Sequence, residues 1–245
     1  MGPREFFESI ASTQDRAIEL ARRTSPEGTR VVARSQTSGR GRLDHRWWSP
    51  PGGGVYLSLV VDAPPPPRTL LALAIGVELR AELLQRYRFE TAIKWPNDLL
   101  VTGAGTSRKI SGILIDEVRS DTGALREVVG IGMNVVPSSV QVPEELRGRV
   151  AAIGDRVDPP PTLEEVEAWV VDGALRAAHA LAGPAGPARA VERCSAVLYG
   201  LGRTARVEGV VGQIEGIGTE GELWLRHGPD RIAIRAGDVE VDGAP

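Results

Sequence analysis

The chain has 245 residues, of which 42% are hydrophobic and 25% charged, and its formal net charge is −3. This balance is that of an ordinary globular protein. A negative net charge argues against general nucleic-acid binding, because proteins that neutralise a phosphate backbone are usually basic. The single cysteine, Cys194, excludes an internal disulfide framework and a multi-cysteine metal site. The start shows no signal pattern and no apolar run approaches the ~20 residues of a membrane span, so we expect a cytoplasmic protein.

The N-terminal part predicts a strand at Phe6–Ile10, a helix ending near Arg23 and a strand at Val31–Ala33. Ser12 or Thr13 is a natural N-cap for the helix, because a hydroxyl there accepts from free backbone N–H groups. Capping is the simpler role for these hydroxyls, although hydroxyls at a helix start can also face a ligand.

The stretch Gln36–Ser49 reads Q-T-S-G-R-G-R-L-D-H-R-W-W-S and is the most informative of the chain. Arg40 and Arg42 put two fixed positive charges among glycines, which allow the backbone to approach a ligand closely. Guanidinium groups bind carboxylate and phosphate in a forked geometry. We interpret the stretch as a loop that closes over a small anionic ligand, and a solvated basic loop is the alternative. Pro50–Gly54 follows and would suit a hinge.

The next segments predict a mostly hairpin-linked sheet with one long helix. In order they are a strand at Val55–Val61, a polyproline connection at Pro64–Pro67, a helix at Thr69–Tyr87, strands flanking the Pro-Asn-Asp turn within Ala92–Val101, a flexible turn at Gly103–Ser107, and strands at Lys109–Ile115 and Val128–Val135. Gly130 and Gly132 lie inside the last strand. Strand glycines indicate that a ligand or another backbone comes close there.

The segment Thr162–Glu165 has the spacing of a capping box and opens a helix that continues to Leu181. Gly183–Pro187 interrupts this helix. A shorter helix follows, and its apolar face carries Cys194, Val197 and Leu198. We therefore expect Cys194 to be a core thiol.

From Thr204 onward, short alternating segments are separated by glycine-bearing turns, which predicts a small β-barrel. We place the domain boundary near Leu198–Gly202. The predicted domains are residues 1–198, which bind the ligand, and residues 199–245.

The glycines match neither a Walker loop nor a dinucleotide fingerprint, and the three histidines lack metal-ligand spacing. The other candidates for a functional site are therefore the polar residues that lie among apolar strands. These polar residues are Lys94, Asn97, Asp98, Lys109 and Asn134. A buried charge is costly unless it is paired. Lysines beside carboxylate and amide groups suit a nucleotide with its metal and pyrophosphate. Surface lysines and a simple Asn-Asp turn are the alternative.

Taken together, these motifs resemble the biotin protein ligase family. The matching segments are Ser12-Thr13, Gln36, G-R-G-R at 39–42, Trp47-x-Ser49-Pro50, K-W-P-N-D at 94–98, K-I-S-G-I-L at 109–114 and G-I-G-M-N at 130–134. The resemblance implies an α+β fold with a mixed, largely antiparallel sheet and helices, like that of class II aminoacyl-tRNA synthetases. A small SH3-like β-barrel would follow this sheet.

The family resemblance implies an enzyme that activates biotin with ATP and Mg²⁺ to biotinyl-5′-AMP. It would then transfer biotin to a lysine of a biotin carboxyl carrier protein or domain. The implied catalytic residues are Lys109, Arg42 and Arg40. The implied biotin-binding residues are Ser12, Thr13, Gln14, Gln36, Gly39, Arg40, Gly41, Arg42, Lys109 and Gly112. The implied ATP-binding residues are Arg42, Trp47, Lys94, Asn97, Asp98, Lys109 and Asn134, with Asp98 on Mg²⁺.

The chain departs from the family pattern at two positions. Gln14 stands where asparagine is usual, and His45 stands where the next arginine of the loop is expected. No room is left before Phe6 for the DNA-binding helix-turn-helix of bifunctional members, so we expect a monofunctional ligase that does not bind DNA. Family members can pair through sheet edges, which leaves a homodimer open.

Two other functions remain alternatives at this point. A lipoate- or octanoyl-protein ligase or transferase of the same broad fold would need a long apolar tunnel for its acyl chain. A nucleic-acid-binding module would use Arg40, Arg42, Arg46 and the tryptophans, and the net charge of −3 argues against it.

Overall fold

The structure, a computed structural model, describes residues 2–23, 25–43, 45–64, 70–103, 106–137 and 142–242. The chain forms two compact units. The first consists of Met1–Ala63 and Ile110–Leu175, and the second of Pro64–Lys109 and Arg176–Pro245. The boundary predicted near Leu198 lies inside the second unit, and the division into 1–198 and 199–245 stays a prediction.

Helices are interspersed among the strands in the first three quarters of the chain, and short strands follow the last helix. In chain order the elements are β1 (Arg4–Phe7), α1 (Thr13–Arg22), β2 (Arg30–Ala33), β3 (Gly54–Asp62), α2 (Leu70–Tyr87), β4 (Thr91–Lys94), β5 (Asp98–Gly103), β6 (Thr106–Arg119), β7 (Leu125–Asn134), α3 (Leu163–Ala182), α4 (Gly186–Ser195), β8 (Thr204–Val207), β9 (Val210–Ile217), β10 (Leu223–His227), β11 (Asp230–Ile234) and β12 (Glu240–Val241). None of the helices within the described ranges is long and apolar enough to span a membrane.

The first unit is built on a sheet with the strand order β1-β2-β3-β7-β6. β1 and β2 are parallel, and every other neighbouring pair in this series is antiparallel. The helix α1 covers the sheet through Ala17 and Ala21, which pack with Val31, Val60 and Val128. The predicted α+β fold with a largely antiparallel sheet is therefore confirmed.

The second unit contains the hairpin of β4 and β5, with α2 packed on β4 and α4 packed on α2. Beyond α4, Leu198 forms a parallel bridge with Ile93 of β4. The chain then forms an antiparallel sheet in the order β11-β10-β9-β8-β12. The short C-terminal strands are thus confirmed.

Several predicted boundaries differ from the observed ones. β1 ends at Phe7, and Ile10 forms a separate bridge with Gln36. β6 begins at Thr106, so part of the turn predicted at Gly103–Ser107 is strand, and residues 104–105 lie outside the described ranges. Residues 65–67 of the predicted polyproline connection also lie outside them.

The interruption predicted between the last two helices is shorter than expected. α4 begins at Gly186, and Pro187 lies in its first turn, where its missing N–H leaves no hydrogen bond unmade. The helix ends at Ser195, so Val197 and Leu198 follow it instead of belonging to it.

The capping box predicted at the start of α3 is confirmed, because Thr162 and Glu165 exchange side-chain-to-backbone hydrogen bonds of 2.9 and 3.2 Å.

An ion cluster around the buried carboxylate of Glu167 joins the edge of the first sheet to α3. Arg4 and Arg30 are register partners in β1 and β2, which brings two cations side by side. The carboxylate of Glu167 accepts from both, at 2.7 and 2.8 Å from Arg4 and 3.0 Å from Arg30. Burial alone would raise the pKa of Glu167, but the hydrogen bonds from the two arginines outweigh it and hold the pKa below its usual value.

Candidate active site

The arginine-rich stretch forms a turn that is closed by its own backbone. The N–H of Trp47 donates to the carbonyl of Gly39 at 2.9 Å, and the N–H of Gly41 donates to the carbonyl of His45 at 2.7 Å. The N–H of His45 donates to the carbonyl of Arg42 at 2.9 Å. Since His45 closes the turn through backbone groups, this role does not require the arginine that the family pattern places there.

The frame beneath the turn is a buried set of hydroxyl and amide groups. Gln36 accepts from the backbone N–H of Thr13 at 2.8 Å and donates to the Ser49 hydroxyl at 2.9 Å. The Thr13 hydroxyl is 2.9 Å from that of Ser58 in β3. The Ser12 hydroxyl accepts from the N–H of Asp15 at 3.3 Å, so the predicted N-cap is confirmed.

The glycines of β7 make room for two protein side chains. The indole of Trp47 occupies the space where a residue other than Gly132 would carry its Cβ. The amide of Gln14 does the same at Gly130. The expected close approach is therefore present, but side chains make it, and a ligand contact at these glycines stays a prediction. These side chains come from α1 and from the arginine loop.

The glycines after the loop are also closely packed. A Cβ at Gly53 would meet the hydroxyl of Tyr56, which donates to the carbonyl of Pro50 at 3.2 Å. A Cβ at Gly54 would meet the carbonyl of Met133 in β7. Close packing explains these glycines without any movement, and the hinge stays a prediction.

The turn borders a cavity of about 420 Å³ in the first unit. Its lining residues are Ser38, Gly39, Arg40, Gly41, Arg42, Leu43, His45, Arg46, Leu114 and Asp116. Arg40 and Arg42, the two cations on which the loop prediction rested, therefore line one concave space together with Arg46. Such a space attracts an anion, because cations within a few ångströms favour negative charge.

Arg40 is held by two carboxylates. It lies 2.9 Å from Asp15 in α1 and 3.3 Å from Asp116 in β6. The same Asp116 oxygen accepts from the amide of Gln14 at 3.0 Å. Sequence reasoning missed both acids. Their only signals were an acid in the first turn of a helix and an acid that directly follows the apolar run Ile113–Ile115.

A second group of predicted residues lies in the other unit. Lys109 is 2.7 Å from the carboxylate of Asp98, and both side chains are partly exposed. Lys94 and Asp98 are register partners on either side of the Trp-Pro-Asn turn. Trp95 is buried beside them and donates from its indole to the carbonyl of Gly221 at 2.8 Å. The C-terminal sheet thus supports this turn.

A sequence profile of the biotin/lipoate A/B protein ligase family matches residues 6–134. The chain belongs to this family. The matched range contains the arginine loop, the K-W-P-N-D turn and both strand glycines, which are the features that the geometry singles out.

The following relatives of this ligase-family chain are all named as ligases. It is 37% identical to the bifunctional ligase/repressor BirA of Bacillus spizizenii over 165 residues, which cover 62% of this chain and 48% of the relative. It is 30% identical to the biotin--[acetyl-CoA-carboxylase] ligase of Mycobacterium tuberculosis over 232 residues, covering 87% and 79%. The chain spans about half the length of the BirA relatives from Bacillus.

Solved structures show that the fold is also that of the family. Biotin protein ligase from Aquifex aeolicus in complex with biotin and ATP superposes with a TM-score of 0.82 at 22% identity, over 98% of this chain and 99% of that chain. The ligase from Leishmania major in complex with biotinyl-5-AMP gives 0.64 at 20% identity, over 96% and 99%. At these identities the likeness is one of fold.

Most of the predicted site residues of this ligase-family chain fall into the two groups already described. Asn134 lies at the end of β7 and donates to the carbonyl of Ala151 at 3.0 Å. Gly112 lies buried in β6, opposite Gly132. Their predicted contacts with biotin or ATP stay predictions.

The predicted Mg²⁺ site has one protein carboxylate, that of Asp98. Within the described part of the chain, no three His, Cys, Asp or Glu side chains come together as a metal site. Mg²⁺ in nucleotide enzymes is commonly bound by one or two carboxylates together with substrate phosphates and water. A single carboxylate beside a bound nucleotide therefore fits this metal.

Proposed function

We propose that this chain joins biotin to AMP with ATP and then transfers biotin to a lysine of a biotin carboxyl carrier protein or domain of a carboxylase. The observation that carries the proposal is the arginine loop, whose three arginines line a cavity of about 420 Å³. An acyl-adenylate presents a phosphate next to its acyl group, and guanidinium groups bind phosphate well. Membership of the family and the names of the relatives support the same choice.

The first chemical step would form the adenylate. An oxygen of the biotin carboxylate attacks the α-phosphorus of ATP, and the bond to pyrophosphate breaks with its electrons leaving on pyrophosphate. Negative charge develops around the phosphorus, where fixed cations lower the barrier. Arg40 and Arg42 would supply this charge from the loop, and Lys109 is the third cation that the sequence motifs assign to the step.

The second step would release AMP. The Nζ of a carrier lysine attacks the acyl carbon of the adenylate, the bond from that carbon to the phosphate oxygen breaks with its electrons leaving on AMP, and the nitrogen loses a proton. In the preceding step, Asp98 would help to hold Mg²⁺, which would supply positive charge near the leaving pyrophosphate. The loop would keep the adenylate from water until the carrier arrives.

Biotin is favoured over lipoate by the buried frame beneath the loop. Thr13, Gln36, Ser49 and Ser58 surround the base of the turn with hydroxyl and amide groups. A polar ureido ring suits such a frame, whereas a lipoyl chain would require an apolar tunnel.

Finer features follow from family membership. We infer that the C-terminal strands β8–β12 form the family's small SH3-like domain and that the larger sheet resembles that of class II aminoacyl-tRNA synthetases. We also infer that the protein acts in the cytoplasm and that it can form homodimers.

The deciding experiment is incubation of the chain with ATP, Mg²⁺, biotin and a purified carrier domain, followed by mass measurement of the carrier. We expect a gain of one biotin that requires ATP and disappears when the acceptor lysine of the carrier is replaced by arginine. A parallel reaction contains lipoate instead of biotin. A gain with lipoate alone would overturn biotin as the substrate, and no gain with either acid would overturn the proposed activity.

A further inference from the structure

The amide NH₂ group of the Gln14 side chain is fully engaged by protein acceptors. It donates both of its hydrogens, one to Asp116 at 3.0 Å and one to the backbone carbonyl of Val128 at 2.9 Å. An amide NH₂ has only two hydrogens to donate. Gln14 is 3% exposed, and its carbonyl oxygen lies over Gly130. This geometry gives Gln14 a role within the protein in addition to the ligand contact expected from the family pattern, because its carbonyl oxygen has no hydrogen-bond partner among the described residues.

The two acceptors of Gln14 form one rung of the sheet. Asp116 in β6 and Val128 in β7 are direct register partners. Gln14 therefore ties the Asp116 side chain to the backbone opposite it. The missing side chain at Gly130 is what allows the Gln14 amide to lie this close to β7.

The fixed carboxylate in turn meets Arg40. Oδ2 of Asp116, the atom that accepts from Gln14, lies 3.3 Å from the Arg40 guanidinium. Among the described residues that line the cavity, Asp116 is the single carboxylate, and Arg40 is the loop arginine that it contacts. Like charges in one short loop repel one another, so a fixed acid determines where Arg40 points.

Asp15 also contacts Arg40 but is a poorer anchor. Its side chain is 61% exposed, against 29% for Asp116, and it lies in the first turn of α1. Exposed ion pairs contribute little, because water competes for both charges. Asp15 thus provides a matched control, since it has the same charge and the same partner but lacks the Gln14 anchor.

We propose that Gln14 and Asp116 are positioning residues that hold the Arg40 guanidinium at the cavity, with Gln14 acting through Asp116. This inference rests on the proposed function only where it concerns the rate of adenylate formation. The orientation of Arg40 is a property of the ligand-free chain and is testable by itself.

The first test is an NMR spectrum of the arginine side-chain N–H groups in the ligand-free protein. We expect the Arg40 signal to be resolved in the wild type and in Asp15→Asn, and to be lost or averaged in Asp116→Asn and Gln14→Asn. Loss of the signal in Asp15→Asn as complete as that in Asp116→Asn would overturn the inference, whatever the activity of the chain.

The second test is a double-mutant cycle on the rate of biotin-dependent pyrophosphate exchange. Asp116→Asn should lower the rate about tenfold or more, because a charge-assisted contact is lost, while Asp15→Asn should stay within about twofold. In an Arg40→Gln background, Asp116→Asn should have almost no further effect. An equal reduction with and without Arg40 would show that Asp116 does not act through it.

A compensating pair separates positioning from mere stability. Gln14→Asn shortens the amide by one methylene, and Asp116→Glu lengthens the acid by one. The double variant should recover most of the rate that Gln14→Asn loses, and a double variant no faster than Gln14→Asn would contradict the inference. If the wild type exchanges no pyrophosphate with biotin, the proposed function fails, and the NMR test alone decides whether Asp116 holds Arg40.

Discussion

Two arginine–carboxylate clusters in the first unit use the same groups in different surroundings. In one, Glu167 meets Arg30, with side chains 10% and 12% exposed, and also Arg4, which is 36% exposed. In the other, Arg40 is 37% exposed and meets Asp15 and Asp116 beside a cavity. The first cluster has two cations for one acid, and the second has two acids for one cation.

The difference in burial determines what each cluster does. A buried pair cannot exchange its partners for water, so removing one member leaves an uncompensated charge. Water reaches the charges of a half-exposed pair, so an incoming anion can compete for the guanidinium. We therefore expect charge pairing to stabilise the fold at Glu167 and to leave the oriented guanidinium of Arg40 accessible to an anion.

The largest effect is expected at a third pair, Lys109 and Asp98, which is partly exposed like the Arg40 cluster. Lys109→Ala should slow adenylate formation by about 100-fold or more, since groups that stabilise developing charge contribute ~3–4 kcal/mol. The melting temperature should hardly change, because such a pair adds little stability. Pyrophosphate release and thermal unfolding measure the two quantities.

Arg119→Ala is the control for Lys109, because it removes another cation from β6, one that is exposed and donates to the carbonyl of Gly123. It should leave pyrophosphate release unchanged. Wild-type rates in Lys109→Ala would contradict the assigned role of this lysine.

The next largest effect is expected on stability. Glu167→Gln should lower the free energy of unfolding by about 2–4 kcal/mol, because Arg4 and Arg30 would remain side by side without their acid. Biotin-dependent pyrophosphate exchange well below the melting temperature should persist. Denaturant unfolding measures the loss of stability.

Glu5→Gln is the matched control, since Glu5 also pairs with an arginine, Arg16, but both partners are about one-third exposed. It should change the free energy of unfolding by less than about 1 kcal/mol. An equal loss in the two variants would remove the distinction between buried and exposed clusters.

A smaller effect should appear in the pH dependence of stability. The pKa of Glu167 is lowered in the folded chain, so its ionised form is favoured by folding. The contribution is complete above the unfolded pKa of about 4.5 and is lost as the pH falls through the lower folded pKa. Unfolding measured from pH 7 to pH 3 should show a steeper loss for the wild type than for Glu167→Gln. Parallel curves would contradict the assigned pKa.

The sequence alone predicted the arginine loop and the helix cap, because each depends on residues that are close along the chain. Ser12 caps α1 through a residue three positions away, and the loop closes through its own backbone. The two clusters could not be predicted in this way. The role of Glu167 as a shared ion-pair partner depends on the parallel pairing of β1 and β2, which brings Arg4 beside Arg30.

The strand glycines show a partial success of the same kind. Their presence in β7 indicated a close approach, and that was right. The approaching groups are Gln14 and Trp47, from two distant segments, and no local pattern could identify them. Asp116 was overlooked for the same reason, since its meaning depends on Arg40.

The smallest effect is expected on the reactivity of Cys194, a buried thiol whose neighbour Arg193 is paired with another residue. Cys194 is fully buried, and burial raises the pKa of its thiol to about 12, against a weaker opposing effect of Arg193. Arg193 instead lies 2.6 Å from Glu78. Because a thiolate is the reactive form, a thiol reagent at pH 8 should leave the folded chain unlabelled while it labels the denatured chain completely. Ala81→Cys, at an exposed position of α2, should react at once in the folded state. Rapid labelling of Cys194 at the rate of that control would show that burial does not govern this site.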